Sequence, residues 1–524
     1  MDQTNAQNDR HDYLLLSFLS AAISTCALIF YFRQDALLLY GDAVAHINIA
    51  RRVFDSRTPG IFQLGTVWLP LPHLLDIPFV VNDWLWRTGV GAALPSMLAY
   101  IAGTLGIFRL VRGRASRATA WIAALIYALN PNLIYMQSTA MTESLYLAFF
   151  IWAVVYFSAF TLTLQTEPAS ARKSLEKCAM SVAAAMLVRY DGWFLAAVMT
   201  VVAVAILWRA GESVRPLRKS LARFMVLTGA VAVLWLAYNY ADYGNALEFA
   251  TGPYSAHAIQ QRTATASMRT YPGEDNPRDA VLYFVKLSRA NLAQGRLDYF
   301  LFTAAFLALV GMIYFSRRYG PWVLLWAPLP FYAMSIAWGS VPIYFPDWYP
   351  FSYYNVRYGL QMLPAIAVFA ALGCEFLRNF VRLRWIAGAA AALVFISYVP
   401  VWQARPICLR EARVNGAARM EFERQLGADL KKLPPTATLL MDCGAHSGAV
   451  QAAGIHFSRI IRETNSPEWD AALSNPAQSA DYMIAIPGDE VWLAARRNRA
   501  ELRPILRVWN RGASEAIIYH SLRR

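Results

Sequence analysis

The sequence predicts an all-α polytopic membrane protein, with about eleven transmembrane helices, that ends in a small α/β domain. Of its 524 residues, 57% are apolar and 16% are charged, whereas soluble proteins carry about 25% charged residues. The apolar residues concentrate in repeated runs of about 17–25 residues, the length that a helix needs to cross the hydrocarbon core. After about residue 402 the apolar runs become as short as strands, which indicates a change of architecture.

The apolar runs define the predicted spans. We place them at about 14–32, 91–111, 118–136, 142–163, 175–192, 193–208, 224–240, 299–315, 321–338, 360–377 and 385–401. The first run is too long for the apolar core of a signal peptide and lacks a small-residue cleavage site, so we expect a retained helix.

Short basic connectors between these runs predict the orientation. They include Arg112 to Arg117, Arg172 to Lys177, Arg209 to Arg223, Arg317 to Arg318 and Arg378 to Arg384. The positive-inside rule places them in the cytoplasm, and counting the spans puts them all on that same side. We therefore expect a protein of the cell (inner) membrane with a cytoplasmic N-terminus. The net charge of +14 is then a consequence of topology, and we expect no nucleic-acid partner.

The outward segments contain most of the polar motifs. Two are long, 33–90 and 241–298, and a third is 339–359. We divide the chain into a membrane module, 1–402, and an extracytoplasmic α/β domain, 403–524. The strands and helices predicted in that domain are, in order, Arg410 to Leu433 (helix), Thr438 to Met441, Tyr482 to Ile486, Glu490 to Arg499 (helix), Ile505 to Trp509 and Ala516 to Tyr519.

The five cysteines are too few for a disulfide framework in a chain of this length. Cys408 and Cys443 are the only thiols expected outside, and whether they pair is left open. The sequence contains no phosphate-binding P-loop, no HExxH zinc motif, no Gly-x-Ser-x-Gly motif and no EF-hand. Several classes of hydrolase and nucleotide-binding protein are therefore excluded.

Asp42 follows the first predicted span. In a helix, Asp42 and His46 would lie one turn apart on the same face. A carboxylate at the outer membrane surface can remove a proton from an attacking hydroxyl, or Asp42 can instead cap the helix. His73, in the same outer loop, can donate a hydrogen bond to a phosphate or have a structural role.

Two further polar motifs border apolar runs on the outer side. Glu143 begins the fourth span, where an ionisable residue is a functional candidate, or a carboxylate stabilised by the helix N-terminus. Arg189 and Asp191 stand in the motif Arg-Tyr-Asp-Gly-Trp between two spans. Because residues two apart do not face each other on a helix, we predict a turn here with Gly192 at the bend, as a structural turn or as the wall of a site.

Arg357 lies at the start of the tenth span, three residues after Tyr354. The planar guanidinium group of arginine matches the oxygens of a phosphate, and a helix N-terminus favours anions. The alternative is that Arg357 extends to the membrane interface without a ligand.

Taken in order, these residues resemble the GT-C superfamily of membrane glycosyltransferases, among which protein O-mannosyltransferases and the aminoarabinose transferase of lipid A are most similar. The resemblance covers about residues 10–400. It rests on four features: Gly41-Asp42 after the first span, Trp68-Leu69-Pro70 in the first outer loop, the motif at 189–193, and Arg357-Tyr358 before Pro364.

The resemblance implies an enzyme that moves a sugar from a polyprenyl-phosphate donor to an acceptor hydroxyl on a protein, lipid or glycan. It also implies inversion at the anomeric carbon, no nucleotide sugar and no required cofactor. Asp42 matches the general base of the family, and Glu143 is the second catalytic candidate. The substrate-binding candidates are Arg357 and Arg189 for the phosphate, and His46, His73, Asp191 and Tyr354 around the sugar or acceptor. The mechanism does not need a divalent metal, but Asp42, His46, His73 and Glu143 could bind one. Loop 241–298 is expected to close over the site.

Two departures from the family pattern limit this interpretation. Many members have a second acidic residue beside the base, whereas here the neighbour of Asp42 is Ala43. The Trp-Trp-Asp signature is absent, so we do not expect transfer of whole glycans to asparagine. The main alternative is a transporter or lipid flippase, which predicts ionisable residues near mid-membrane and an inverted repeat. A second alternative is a membrane scaffold whose outer domain is the functional part.

Overall fold

The computed structural model describes residues 3–211, 217–255, 258, 271–315, 317–339, 341, 343–381, 385–510 and 515–523. The chain folds into two compact units. The first contains Met1–Tyr31, Thr66–Pro72 and Pro95–Glu411, and the second contains Phe32–Gly65, His73–Leu94 and Ala412–Arg524. The second unit therefore combines much of the predicted first outer loop with the C-terminal region. The predicted division at residue 402 stays a prediction.

Long apolar helices make up most of the first unit. Within the described ranges, eight helices are long and apolar enough to cross a membrane: Asn8–Arg33, Val90–Arg112, Glu143–Thr163, Asp191–Ala210, Arg218–Tyr243, Arg296–Tyr314, Val356–Phe376 and Ala392–Leu430. Each contains or overlaps a predicted span, and the predicted polytopic α-helical class is confirmed. Helices that complete this unit are Arg117–Ala128, Pro131–Met136, Pro168–Val188, Glu248–Thr251, Pro277–Ala290, Pro328–Trp338, Leu363–Val381 and Trp385–Gln403, with 3-10 helices at Arg317–Trp326 and Val356–Met362.

The three other predicted spans are helical, but each is interrupted or charged. Span 118–136 breaks at Asn130, whose side chain caps the next helix by accepting hydrogen bonds from two backbone N–H groups. Span 175–192 belongs to a helix that begins at Pro168 and carries several charged residues in its first half. Span 321–338 changes from a 3-10 helix to an α-helix at Pro328.

The predicted closing loop, 241–298, is described only in part. Residues 256–257 and 259–270 lie outside the described residues, so its closure stays a prediction. The described part contains the helix Pro277–Ala290, which has one buried apolar face that includes Tyr283, Phe284 and Leu287.

Gly359 lets the 3-10 helix Val356–Met362 lie directly against the end of the helix Pro277–Ala290. A Cβ atom at Gly359 would come within 2.5 Å of Asn291 Nδ2 and 2.7 Å of the carbonyl oxygen of Leu287. The replacement Gly359→Ala should therefore displace backbone and destabilise the protein by about 1–3 kcal/mol. A lowered thermal unfolding midpoint of the purified protein in detergent would show this.

Gly311→Ala is the matched control for this prediction. Gly311 lies within the helix Arg296–Phe315, and nothing lies within 4 Å of the position that its Cβ would take. Because alanine favours a helix more than glycine does, this variant should keep or raise the midpoint. Equal midpoints for the two variants would show that the close approach at Gly359 is not rigid.

The second unit contains a five-stranded mixed sheet. Its strands are β1 (Leu439–Met441), β2 (Ile460–Ile461), β3 (Tyr482–Ala485), β4 (Leu502–Trp509) and β5 (Glu515–Ser521). They lie in the order β2-β1-β3-β5-β4, with β1 parallel to β2 and β3, and β5 antiparallel to β3 and β4. The sequence predicted every strand except β2, which has only two residues and leaves no alternating pattern to detect.

Short helices complete the second unit. They are Gly41–Arg52, Leu71–Val80, Asp83–Thr88, Ser447–Ala453, Glu468–Ser474, Pro476–Ser479 and Glu490–Arg497, with most of Ile407–Leu430. An apolar core that includes Leu440, Ile461, Trp469 and Met483 packs against one face of the sheet. The predicted C-terminal α/β architecture is therefore present.

Cys408 and Cys443, the two cysteines that the sequence predicts to lie outside, are free thiols. Cys408 is buried in the first unit, where its backbone N–H donates to Asn132 Oδ1 at 3.0 Å. Cys443 is buried in the second unit, where its backbone N–H donates to Glu463 Oε2 at 2.9 Å. The sequence left open whether Cys408 and Cys443 form a disulfide, and in the structure they do not.

Candidate active site

Glu143 is the centre of a buried ion network in the first unit. Its side chain is 0% exposed, and its Oε1 atom lies 3.2 Å from Arg189 Nη1 and 3.1 Å from Arg357 Nε. The predicted position at a helix start is confirmed, because the helix Glu143–Thr163 begins there. One carboxylate oxygen therefore joins two arginines from distant parts of the chain.

The predicted turn is present, and Arg189 lies in it. The backbone of Arg189 is extended between one helix that ends at Val188 and another that begins at Asp191. The bend is at Arg189 and Tyr190, whereas Gly192, expected at the bend, lies in the first turn of the next helix, where its lack of a side chain allows close contact with the backbone of Ala185. Arg189 Nη2 donates to the Tyr332 hydroxyl at 3.0 Å, and this hydroxyl donates to Asp191 Oδ2 at 2.6 Å. The turn brings Arg189 Nε within 3.5 Å of Asp191 Oδ2, a contact that a continuous helix would not allow.

Arg357 is held by a second carboxylate that the sequence analysis missed. Its Nη1 atom lies 3.5 Å from Glu411 Oε1, which also accepts a hydrogen bond from the backbone N–H of Val356 at 3.2 Å. Glu411 is only 1% exposed. It belongs to a helix rich in charged residues, where the sequence pattern favours a solvated position, so no signal distinguished it.

The ring of Tyr358 completes the network between the two arginines. Its centroid lies 4.8 Å from Arg189 Cζ and 5.1 Å from Arg357 Cζ. Charged groups are costly to bury unless they are paired, and here three carboxylates face two guanidinium groups. Glu143 Oε2 and the hydroxyl of Ser144 are buried without a hydrogen-bond partner among the described residues. These atoms offer polar contacts to a ligand or to water.

Asp42, His46 and His73 lie in the second unit. Asp42 is half-buried in the first turn of the helix Gly41–Arg52, and Tyr40, not Asp42, is the N-cap residue. Since the segment is helical, Asp42 and His46 share a face, as predicted.

The two histidines form a buried pair. His46 Nδ1 lies 2.8 Å from His73 Nε2, and the residues are 2% and 0% exposed. Burial, followed by the nearby His46 and Arg52, lowers the pKa of His73 well below its ordinary value. His73 is therefore neutral at neutral pH. Its contact with His46 uses Nε2, whereas Nδ1 is buried without a hydrogen-bond partner among the described residues. Roles for this pair in orienting substrate stay predictions.

Asp76 and Tyr354 are two further polar residues near the predicted site residues in the sequence. Asp76, which the sequence analysis did not identify, is buried one turn after His73, and burial raises its pKa well above the ordinary value. Tyr354 pairs with Tyr344 through two backbone hydrogen bonds of 2.9 Å. Its role also stays a prediction.

The alternative metal site receives no geometric support from the residues described. Among them, no group of three or more His, Cys, Asp or Glu side chains is arranged to bind a metal ion. Glu143 belongs to the first unit, whereas Asp42, His46 and His73 belong to the second.

The chain shares its fold with solved structures of ArnT. The crystal structure of ArnT from Cupriavidus metallidurans bound to undecaprenyl phosphate superimposes with a TM-score of 0.59 at 12% identity and covers 97% of each chain. The apo structure of the same protein gives a TM-score of 0.57 at 13% identity, covering 96% of this chain and 97% of ArnT. No protein-family model and no curated protein matches the sequence.

The sequence resemblance extended only to about residue 400, but the structural similarity spans nearly the whole chain. The C-terminal α/β region is thus part of the shared fold.

Proposed function

We propose that the protein is a membrane glycosyltransferase that moves a sugar from a polyprenyl-phosphate donor to an acceptor hydroxyl, with inversion at the anomeric carbon. The observation that carries the proposal is the buried network in which Glu143 pairs with Arg189 and Arg357 at the start of a membrane span. Guanidinium groups fixed in a water-poor site stabilise the charge that develops on a departing phosphate. The fold shared with ArnT, which was crystallised with undecaprenyl phosphate, supports a lipid-phosphate donor.

Within this proposal the two arginines have different tasks. All three guanidinium nitrogens of Arg189 contact Thr142, Glu143, Asp191 or Tyr332, so we assign Arg189 to positioning Glu143. Arg357, which two carboxylates orient, is assigned to the donor phosphate because a guanidinium edge binds phosphate oxygens in a defined geometry.

Asp42 is proposed as the general base. It removes the proton from the acceptor hydroxyl as the hydroxyl oxygen attacks the anomeric carbon. The bond from that carbon to the phosphate oxygen breaks, and the phosphate keeps the electron pair. We place the reaction on the outer face of the membrane, with the N-terminus in the cytoplasm, and the acceptor is a protein, lipid or glycan.

The test uses the full-length protein in lipid nanodiscs with a panel of radiolabelled polyprenyl-phosphate sugars and measures donor binding, donor cleavage and the anomeric configuration of the product. We expect one donor to be cleaved and its sugar to be released or transferred with inverted configuration. Nanodiscs without protein are the control.

Two results would count against this function. If no donor is bound or cleaved, the proposal is wrong. If a donor in sealed vesicles moves between leaflets without cleavage, the lipid flippase alternative is the better description.

A further inference from the structure

We propose that a pocket in the second unit binds the head group of an anionic phospholipid of the surrounding membrane. This inference does not depend on the proposed glycosyltransferase function. The pocket has a volume of about 260 Å³ and is bounded by the end of the first span, the segment that follows it and parts of four further helices. Because pockets for drug-sized ligands begin at roughly 300 Å³, it accommodates a head group while the acyl chains stay outside.

The walls of this pocket are mainly apolar. Phe32, Leu37, Leu38, Val44 and Met420 line it. Apolar walls of this extent suit the glycerol backbone and the first methylene groups of a lipid, because burying such surface is favourable. A free phosphate ion would gain nothing from these contacts.

The rim of the pocket carries cationic side chains. Arg87 is exposed, and its Nη2 donates to the carbonyl oxygen of Ala452 at 3.3 Å. Arg87 forms no ion pair with any residue that the structure describes. Arg424 pairs with Asp35 at 3.1 Å, but these side chains are 46% and 66% exposed, and such exposed pairs contribute little and exchange partners readily. A phosphodiester can therefore bind both guanidinium groups.

The position of the pocket in the chain argues for a lipid as the occupant. Phe32 lies at the end of the first candidate span, Asn8–Arg33. Its ring centroid is 6.1 Å from that of Trp84, which is 57% exposed. Tryptophan is enriched at the membrane interface, so the entrance lies where phospholipid head groups are found.

The remaining acidic residue in the pocket does not oppose an anion. Glu423 is 4% exposed and is already paired with Arg419. Arg413, on the same helix, donates to Gln34 Oε1 at 2.9 Å and forms no ion pair among the residues described. Both acidic side chains that line the pocket are thus paired with an arginine, and Arg87 supplies a positive charge that no ion pair among the described residues offsets.

The test is native mass spectrometry of the full-length protein released from nanodiscs that contain phosphatidylglycerol and phosphatidylcholine in equal amounts. Wild-type protein should retain phosphatidylglycerol preferentially. Arg87→Gln should lower that retention about tenfold, the loss expected for one charge-assisted contact. Ala452→Leu, which fills the pocket without changing charge, should also lower it, whereas Arg503→Gln on the exposed strand β4 is the matched control and should not.

Two outcomes would overturn the inference. In the first, wild-type protein retains both lipids equally. In the second, wild type, Arg87→Gln and Ala452→Leu retain phosphatidylglycerol equally. Displacement of the lipid by millimolar inorganic phosphate would show that the pocket binds a phosphate group and does not recognise the rest of the lipid. Unchanged thermal unfolding midpoints identify variants that remain folded, and Arg87→Lys should recover part of the retention if Arg87→Gln is unstable.

Discussion

Replacement of Asp42 by asparagine is expected to lower the rate of sugar transfer by about 100- to 10,000-fold, the usual contribution of a general base. Asparagine has the same shape as aspartate but cannot take a proton from the acceptor hydroxyl. Because Asp42 is half-buried in the first turn of its helix and Tyr40 is the N-cap residue, the fold should tolerate the change. Donor binding should stay close to that of wild type.

The measurement is a single-turnover assay with the donor found by the panel, together with donor binding and the thermal unfolding midpoint. Asp470→Asn is the matched control, since Asp470 is an exposed residue of the second unit whose side chain accepts a hydrogen bond only from Ser466 among the contacts described. A rate for Asp42→Asn equal to that of the control would exclude Asp42 as the base. Glu143 would then become the leading candidate.

Replacement of Glu143 by glutamine is expected both to abolish transfer and to destabilise the protein. The change removes the carboxylate that faces Arg189 and Arg357 in a site where Glu143 is 0% exposed. Arg189 keeps Asp191 and Arg357 keeps Glu411 as partners, so neither charge is left without compensation. The loss of the buried charge-assisted hydrogen bonds to Glu143 should cost about 1–3 kcal/mol. Both arginines should lose part of their orientation, so donor binding should weaken as well, in contrast to Asp42→Asn.

A double-mutant cycle tests this explanation. If Glu143 acts through Arg357, the variant that combines Glu143→Gln with Arg357→Gln should be more stable than the sum of the single changes predicts. Glu167→Gln, at an exposed position before the helix Pro168–Val188, is the control and should match wild type. A stable Glu143→Gln protein that binds donor normally but does not transfer sugar would show instead that Glu143 takes part in the chemistry itself.

The separate polar residues could be predicted, but their partners could not. Glu143, Arg189 and Arg357 each interrupt or border an apolar run, where an ionisable side chain is conspicuous. Tyr332 and Glu411 escaped notice, because a tyrosine in an apolar segment and a glutamate in a charged helix are both ordinary. Arg357 and Glu143 are 214 positions apart, and no local pattern reports a contact over that distance.

For the histidines too, the sequence predicts the local position but not the partner. The sequence placed His46 on the face of Asp42, and the helix Gly41–Arg52 agrees. That His73 would pair with His46 and be fully buried depends on how the helix Leu71–Val80 packs, which the loop sequence does not specify.

The sequence by itself determined the class of this protein, because apolar runs of membrane-spanning length leave a helix as the structure that satisfies its own backbone hydrogen bonds in lipid. It also determined most strands of the C-terminal sheet through their short apolar pattern. Only the tertiary structure decided that residues 32–65 and 73–94 fold with residues 412–524. It also decided that five charged groups, Glu143 among them, form one network. The physical reason is that periodicity reflects local backbone geometry, whereas the pairing of buried charges depends on packing between helices that are remote in the chain.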